Sequence, residues 1–158
     1  GNKPTILAGH SRGGTIAMLA GPKNSYVTHI IPIFSYYGAP SDPSDERIAD
    51  GKVMSYRDLP PGDMKTNEQK EFGLPFNYFE DGKQYNALSE LKNCTKPKLF
   101  FYGVNDDMND PEDVKKAYEE SAEPKEIHAL NSDHDYRYHA EIIEEANQII
   151  GKFLEKYS

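Results

Sequence analysis

The sequence holds a single cysteine, Cys94, among 158 residues. An intramolecular disulfide is therefore excluded, and so is a thiolate metal cluster. Cys94 stands in Asn93-Cys94-Thr95-Lys96-Pro97, just ahead of an apolar run. It reads as a small packing residue leading into a strand rather than as a reactive thiol. Positive charge is scarce as well: 18 Lys and Arg face 26 Asp and Glu, for a net charge of −8. No basic patch is present, which argues against nucleic-acid binding, and anionic membrane surfaces are disfavoured for the same reason. The partners this leaves are neutral or cationic small molecules. No run approaches the roughly 18 apolar residues of a membrane span, and no basic-then-apolar leader is found. The expectation is a cytoplasmic protein. No internal repeat or low-complexity tract occurs.

What is present is one domain's worth of alternating elements. Pro4 to Gly9 is a short apolar run that stops at glycine, the pattern of a buried strand. A compact helix of small residues follows from Arg12 to Ala20 and stops at Gly21-Pro22. Tyr26 to Phe34, rich in β-branched residues, predicts a second strand. Lys98 to Gly103 and Lys125 to Leu130 predict a third and a fourth. Between them Asp110-Pro111-Glu112-Asp113 carries three signals of a helix start: a capping aspartate, proline at the first helical position and acids in the first turn. Ile142, Ile143, Ala146, Ile149, Ile150, Phe153, Leu154 and Tyr157 share one face of a final helix.

Residues 38–93 differ. Prolines, charges and isolated aromatics recur there with weak periodicity, and such a stretch inside a domain is usually functional. It is expected to be an irregular, mostly helical insertion. Phe72, Phe76, Tyr78, Phe79 and Tyr85 would either pack it or line a pocket. The remaining alternation implies an α/β fold with about four parallel strands flanked by helices. In such sheets chemistry gathers at the carboxyl ends of the strands.

Three residues follow three of those strand ends in order. Gly9-His10-Ser11-Arg12-Gly13 sits between a strand and a helix, the setting in which a Gly-x-Ser-x-Gly turn exposes a nucleophilic hydroxyl. Side chains at Gly9 or Gly13 are expected to collide with neighbouring backbone. The Arg12 N–H, at the helix start, can stabilise an oxyanion. A serine needs a base, and the base an orienting group. Asp106 is the candidate acid, with Asp107 as the alternative; His134, in Asn131-Ser132-Asp133-His134-Asp135, is the candidate base. Asp133 and Asp135 are poor orienters, because adjacent side chains rarely face one another. His139 reads as a surface residue, and His10, His29 and His128 as supporting ones. A metal site at Asp133-His134-Asp135 would lack further ligands.

The chain resembles the α/β-hydrolase superfamily, in particular small bacterial esterase-like members. The resemblance rests on Gly9-His10-Ser11-Arg12-Gly13-Gly14, on Pro97 to Asp106 and on Asp133-His134-Asp135. It implies cofactor-free acyl transfer to water through an acyl-serine, and a cap over the active site formed by the insertion. It also implies that this chain corresponds to strands five to eight of the fold. The strands expected ahead of Pro4, and the second oxyanion N–H they supply, have no counterpart here. The first strand's outer edge would then be unpaired and open to self-association. A peptidase or thioesterase with the same three residues, and a non-catalytic module that binds ligand or self-associates, are the competing functions.

Overall fold

The structure, a computed structural model, describes residues 3–39, 43, 47–58 and 68–158; for residues 57 and 58 only the backbone is described. It divides into two compact units, one formed by Gly1–Gly38 with Asn86–Ser158 and the other by Ala39–Tyr85.

The larger unit contains strand β1 (Ile6–His10), helix α1 (Arg12–Ala20) and strand β2 (His29–Ile33). The smaller unit follows with β3 (Ile48–Ala49), β4 (Lys52–Asp58), β5 (Gln69–Pro75) and α2 (Phe76–Gly82). The larger unit resumes with α3 (Leu88–Leu91), β6 (Lys98–Gly103), α4 (Pro111–Glu120), β7 (Lys125–Leu130) and α5 (Ala140–Lys156). Its sheet has the order β1-β2-β6-β7, with every pairing parallel. This is the expected α/β class. Asp110 caps α4 by accepting a hydrogen bond from the Glu112 N–H at 2.9 Å, with Pro111 in the first turn.

Period-two alternation sends successive side chains to opposite faces of the sheet. Ile31, Ile33, Leu99, Phe101 and Leu130 pack with Ile142, Ala146 and Phe153 of α5. Phe100 points the other way, into a cluster with Met18 of α1, Leu91 of α3 and Val114 and Ala117 of α4. Cys94 is buried beside Ala17, Val27 and Ile30, in the packing role its sequence context suggests. Fully buried Lys98 enters this core by donating its ammonium protons to the carbonyls of Cys94 and Lys96, at 2.5 and 2.7 Å. Burial lowers its pKa from the ordinary lysine value.

Pro32 lies inside β2, which has a neighbour on each side. Ile30 N–H donates to Pro97 O and Phe34 N–H to Phe101 O, so the donor that Pro32 lacks faces β6. The β2–β6 ladder accordingly pairs Ile30 with Lys98 and Ile33 with Phe101 and skips the residues between.

The smaller unit departs from expectation. In place of a mostly helical insertion it carries an antiparallel sheet of order β3-β4-β5, followed by the seven-residue α2. On β4 the buried positions alternate, Val53 then Ser55. A serine at an inward position breaks the apolar alternation by which a strand is read from sequence. Among the described residues no helix is long and apolar enough to cross a membrane.

Candidate active site

The carboxyl ends of the four parallel strands carry the candidate residues. Ser11 directly follows β1 and caps α1 with φ 54° and ψ −124°. A side-chain-bearing residue rarely adopts this conformation, at a cost of about 1–3 kcal/mol. The surrounding bonds hold it there. Ser11 N–H donates to Ile33 O at 2.9 Å, and Ser11 O accepts from Gly14 and Thr15 N–H at 3.0 and 3.2 Å. Across the turn, a Cβ on Gly9 would run into the Gly13 carbonyl and lie 2.6 Å from Gly14 N.

The expectation for Gly13 is corrected: a Cβ there meets nothing within 4 Å, because that position faces away from the strand. Gly14 is the packed glycine of the pair. A Cβ on it would lie 2.6 Å from Gly9 O and 2.7 Å from Ser35 Cβ. Ser35 is buried, and its hydroxyl donates to Ile33 O at 2.8 Å. Phe34 before it is buried with φ 49°, a second strained residue beside the turn.

Asp106 and His134 come together. The His134 Nδ1 lies 3.0 Å from both carboxylate oxygens of Asp106, and the two side chains are 10% and 2% exposed. Asp106 Oδ1 also accepts from the N–H groups of Met108 and Asn109, each at 2.9 Å. Burial alone would raise the Asp106 pKa; the hydrogen bonds from His134, Asn109 and Met108 outweigh it and hold the carboxyl below its ordinary value. An ionised carboxylate only accepts, so the bond puts a proton on His134 Nδ1 and leaves Nε2 as the nitrogen free to exchange one. Asp107 is exposed and takes no part in this pair. Among the described residues no hydrogen bond joins the Ser11 hydroxyl to His134. The Arg12 N–H, at the first helical position, has no intrahelical acceptor.

The remaining candidates fall elsewhere. Asp133 faces the half-buried His139 at 3.4 Å, and Asp135 faces Arg137 at 3.4 Å. His29 packs edge-on against Phe153, and His128 lies 3.5 Å from Glu126. Among the described residues no group of three or more His, Cys, Asp or Glu could hold a metal ion.

Sequence reasoning read His10 as a supporting residue but missed the contacts that join the strand ends. Asn109 donates its N–H to Asp106 and its Nδ2 proton to Phe34 O, at 2.9 and 2.8 Å. Asn105 N–H donates to Ser132 O at 3.1 Å, bridging the turns that carry Asp106 and His134. His10 Nε2 lies 2.7 Å from the backbone carbonyl of His134. The signals were an asparagine three residues past the acid and a histidine next to the serine.

No protein-family model matches the sequence, and no curated protein does either. Solved structures do. The esterase domain of a protein from Rhodothermus marinus is 17% identical with a TM-score of 0.73, over 98% of this chain and 62% of that one. Est1E from Butyrivibrio proteoclasticus is 16% identical with a TM-score of 0.70, over 98% and 62%. A monoacylglycerol lipase from Paleococcus ferrophilus is 18% identical with a TM-score of 0.70, over 99% and 70%. The chain therefore has the α/β-hydrolase fold. Of these three, one is described as an esterase domain and another as a monoacylglycerol lipase, and the chain spans 62% of the length of the first two.

Proposed function

We propose that this chain belongs to a serine hydrolase that cleaves a small-molecule carboxylic ester through an acyl-serine intermediate. The Ser11 hydroxyl attacks the ester carbonyl carbon while His134 Nε2 takes its proton. Asp106, hydrogen-bonded to Nδ1, stabilises the resulting imidazolium. The Arg12 N–H donates to the developing oxyanion at the start of α1. His134 then returns the proton to the departing alkoxide. Water repeats the sequence on the acyl-serine and releases the acid, with no cofactor required.

The observation that carries this reading is the buried Asp106–His134 pair, 3.0 Å at both oxygens, at the same sheet edge as the strained turn at Ser11. Structural similarity to an esterase domain and to a monoacylglycerol lipase supports it. A fluorophosphonate probe should label Ser11 and fail to label Ser11→Ala. Absence of labelling in the wild-type protein, with the fold verified by circular dichroism, sinks the proposal. A panel of ester, thioester and aminoacyl amide substrates separates esterase from thioesterase and peptidase, because the leaving group is chosen by pocket shape.

Self-association is a second reading, favoured by β1. Among the described residues β1 pairs only with β2, and Ile6 is 39% exposed. Two copies joined along that edge would sediment as a dimer that Ile6→Lys weakens. A monomer at high protein concentration excludes it.

A further inference from the structure

We propose that His10 is a positioning residue for the base: by donating its Nε2 proton to the backbone carbonyl of His134, it fixes the loop that aims that imidazole at Asp106. The inference rests on reading His134 as the base, and it assigns a task to the residue that separates Gly9 from Ser11.

His10 is the last residue of β1, so its ring starts from backbone held by parallel pairing, with His10 opposite Ile33. His134 lies in the irregular stretch between β7 and the 3₁₀ turn at Tyr136–Tyr138, outside any strand or helix. Such a stretch has few backbone bonds of its own, so single contacts decide where it sits. Among the described residues, the donor to the His134 carbonyl is His10, at 2.7 Å.

Ring packing reinforces the bond. The His10 ring lies 4.7 Å from that of His134, 5.4 Å from Tyr136 and 6.1 Å from Phe34, measured between centroids. Tyr136 also lies 5.4 Å from Phe34. The four rings thus clamp the segment that carries His134 against the ends of β1 and β2.

A carbonyl can only accept, so the bond requires a proton on Nε2. Burial, and then the neighbouring His134, hold the His10 pKa below its ordinary value, which keeps the ring neutral with that one proton. Neutrality has a mechanistic use. When His134 takes the Ser11 proton it becomes cationic, and a second cation at 4.7 Å would oppose the transfer.

Three measurements on the full chain test the proposal. Nitrogen-15 long-range NMR of the wild-type protein reads the His10 tautomer directly: protonated Nε2 with bare Nδ1 supports the bond, and the opposite tautomer or a cationic ring overturns it. His10→Phe keeps an aromatic ring and removes the donor, whereas His10→Gln keeps an amide donor close to the Nε2 position. For His10→Phe, fluorophosphonate labelling of Ser11 and kcat on a short-chain ester should fall about ten- to a hundredfold, with KM little changed. His10→Gln should regain most of that loss. The downfield Nδ1–H resonance of His134 should exchange faster with water in His10→Phe and be restored in His10→Gln. Wild-type behaviour of His10→Phe in rate and exchange, or a His10→Gln as impaired as His10→Phe, overturns the inference. If wild-type protein is not labelled at all, the serine-hydrolase reading fails. The tautomer and the His134 exchange rate then still decide the positioning role by the same criteria. If His10→Phe does not fold, the tautomer and His10→Gln decide it.

Discussion

Gly13 and Gly14 are adjacent, yet alanine at the two positions should have opposite effects. At Gly13 the new methyl group meets nothing within 4 Å. Alanine is a better helix former than glycine by up to about 1 kcal/mol, so Gly13→Ala should leave stability unchanged or raise it by that amount. At Gly14 the methyl group would lie 2.6 Å from the Gly9 carbonyl oxygen and 2.7 Å from Ser35 Cβ. Restoring ordinary contact with Gly9 O requires α1 to retreat from β1 by roughly 0.8 Å, in an interior that compresses poorly. Overpacking of this kind costs about 1–3 kcal/mol, and backbone against backbone belongs at the upper end. The two variants should therefore differ by about 2–4 kcal/mol. In urea, with a slope of about 1–3 kcal/mol per molar, their midpoints should differ by roughly 1–2 M. Adding Ser35→Gly to Gly14→Ala removes the clash with Ser35 and leaves that with Gly9 O, so the double variant should recover only part of the loss. A Gly14→Ala as stable as wild type, or a Gly13→Ala that is the damaged one, refutes the packing account of the turn.

Three further outcomes are expected. Asp106→Asn should slow fluorophosphonate labelling of Ser11 by about 10³–10⁴-fold, because an amide beside His134 Nδ1 favours the wrong tautomer; labelling within a few-fold of wild type would remove Asp106 from its role. Lys98→Met should lower stability by about 1–3 kcal/mol in urea titration, since the Cys94 and Lys96 carbonyls lose their shared donor while the volume is kept; no change would mean that water replaces the ammonium. Acid should act in two stages. His10 and Asp106 both hold their protons less tightly when folded than when unfolded, so each contributes fully above its ordinary value, 6.5 and 3.8 respectively. Each contribution falls as the pH drops from there toward the depressed folded value. Calorimetric Tm against pH should decline from about 6.5 downward and again below 3.8, and His10→Phe should lose the upper stage; an unchanged upper stage in that variant points to another group.

Much of the sheet was legible because its signals are local. Lys98–Gly103 and Lys125–Leu130 are short runs bounded by turns, and the Asp110-Pro111 start of α4 declares itself in two residues. Asp106 and His134 were legible for a topological reason: in a parallel sheet, residues just past the strands share one edge whatever their distance along the chain. The antiparallel sheet at β3–β5 was hidden. Its inward positions include Ser55, and Lys70 and Glu71 of β5 are exposed, so hydrophobic alternation is too brief to register. The glycine error had a different cause. A pentapeptide pattern names Gly9 and Gly13, but which side of α1 meets β1 is decided by three-dimensional packing, and Gly14 occupies it. His10 could be read only as a supporting residue, because its partner is a backbone carbonyl 124 residues away, which no side-chain pattern records.

Pro32 gives the sheet a seam. The rung missing beside it separates β1 and β2 from β6 and β7, and the two sides carry different reagents. Ser11 belongs to the first pair of strands; Asp106 and His134 follow the second. Flexing along that line would change the distance between nucleophile and base while the imidazole stayed on its carboxylate. Asn109 to Phe34 O, and His10 to His134 O, span the seam at the reactive end, where they act as stitches. The fold thus places the sparsest ladder of this sheet between the two parts whose separation sets reactivity, and adds two side chains to the backbone bond from Phe34 N–H to Phe101 O that closes it.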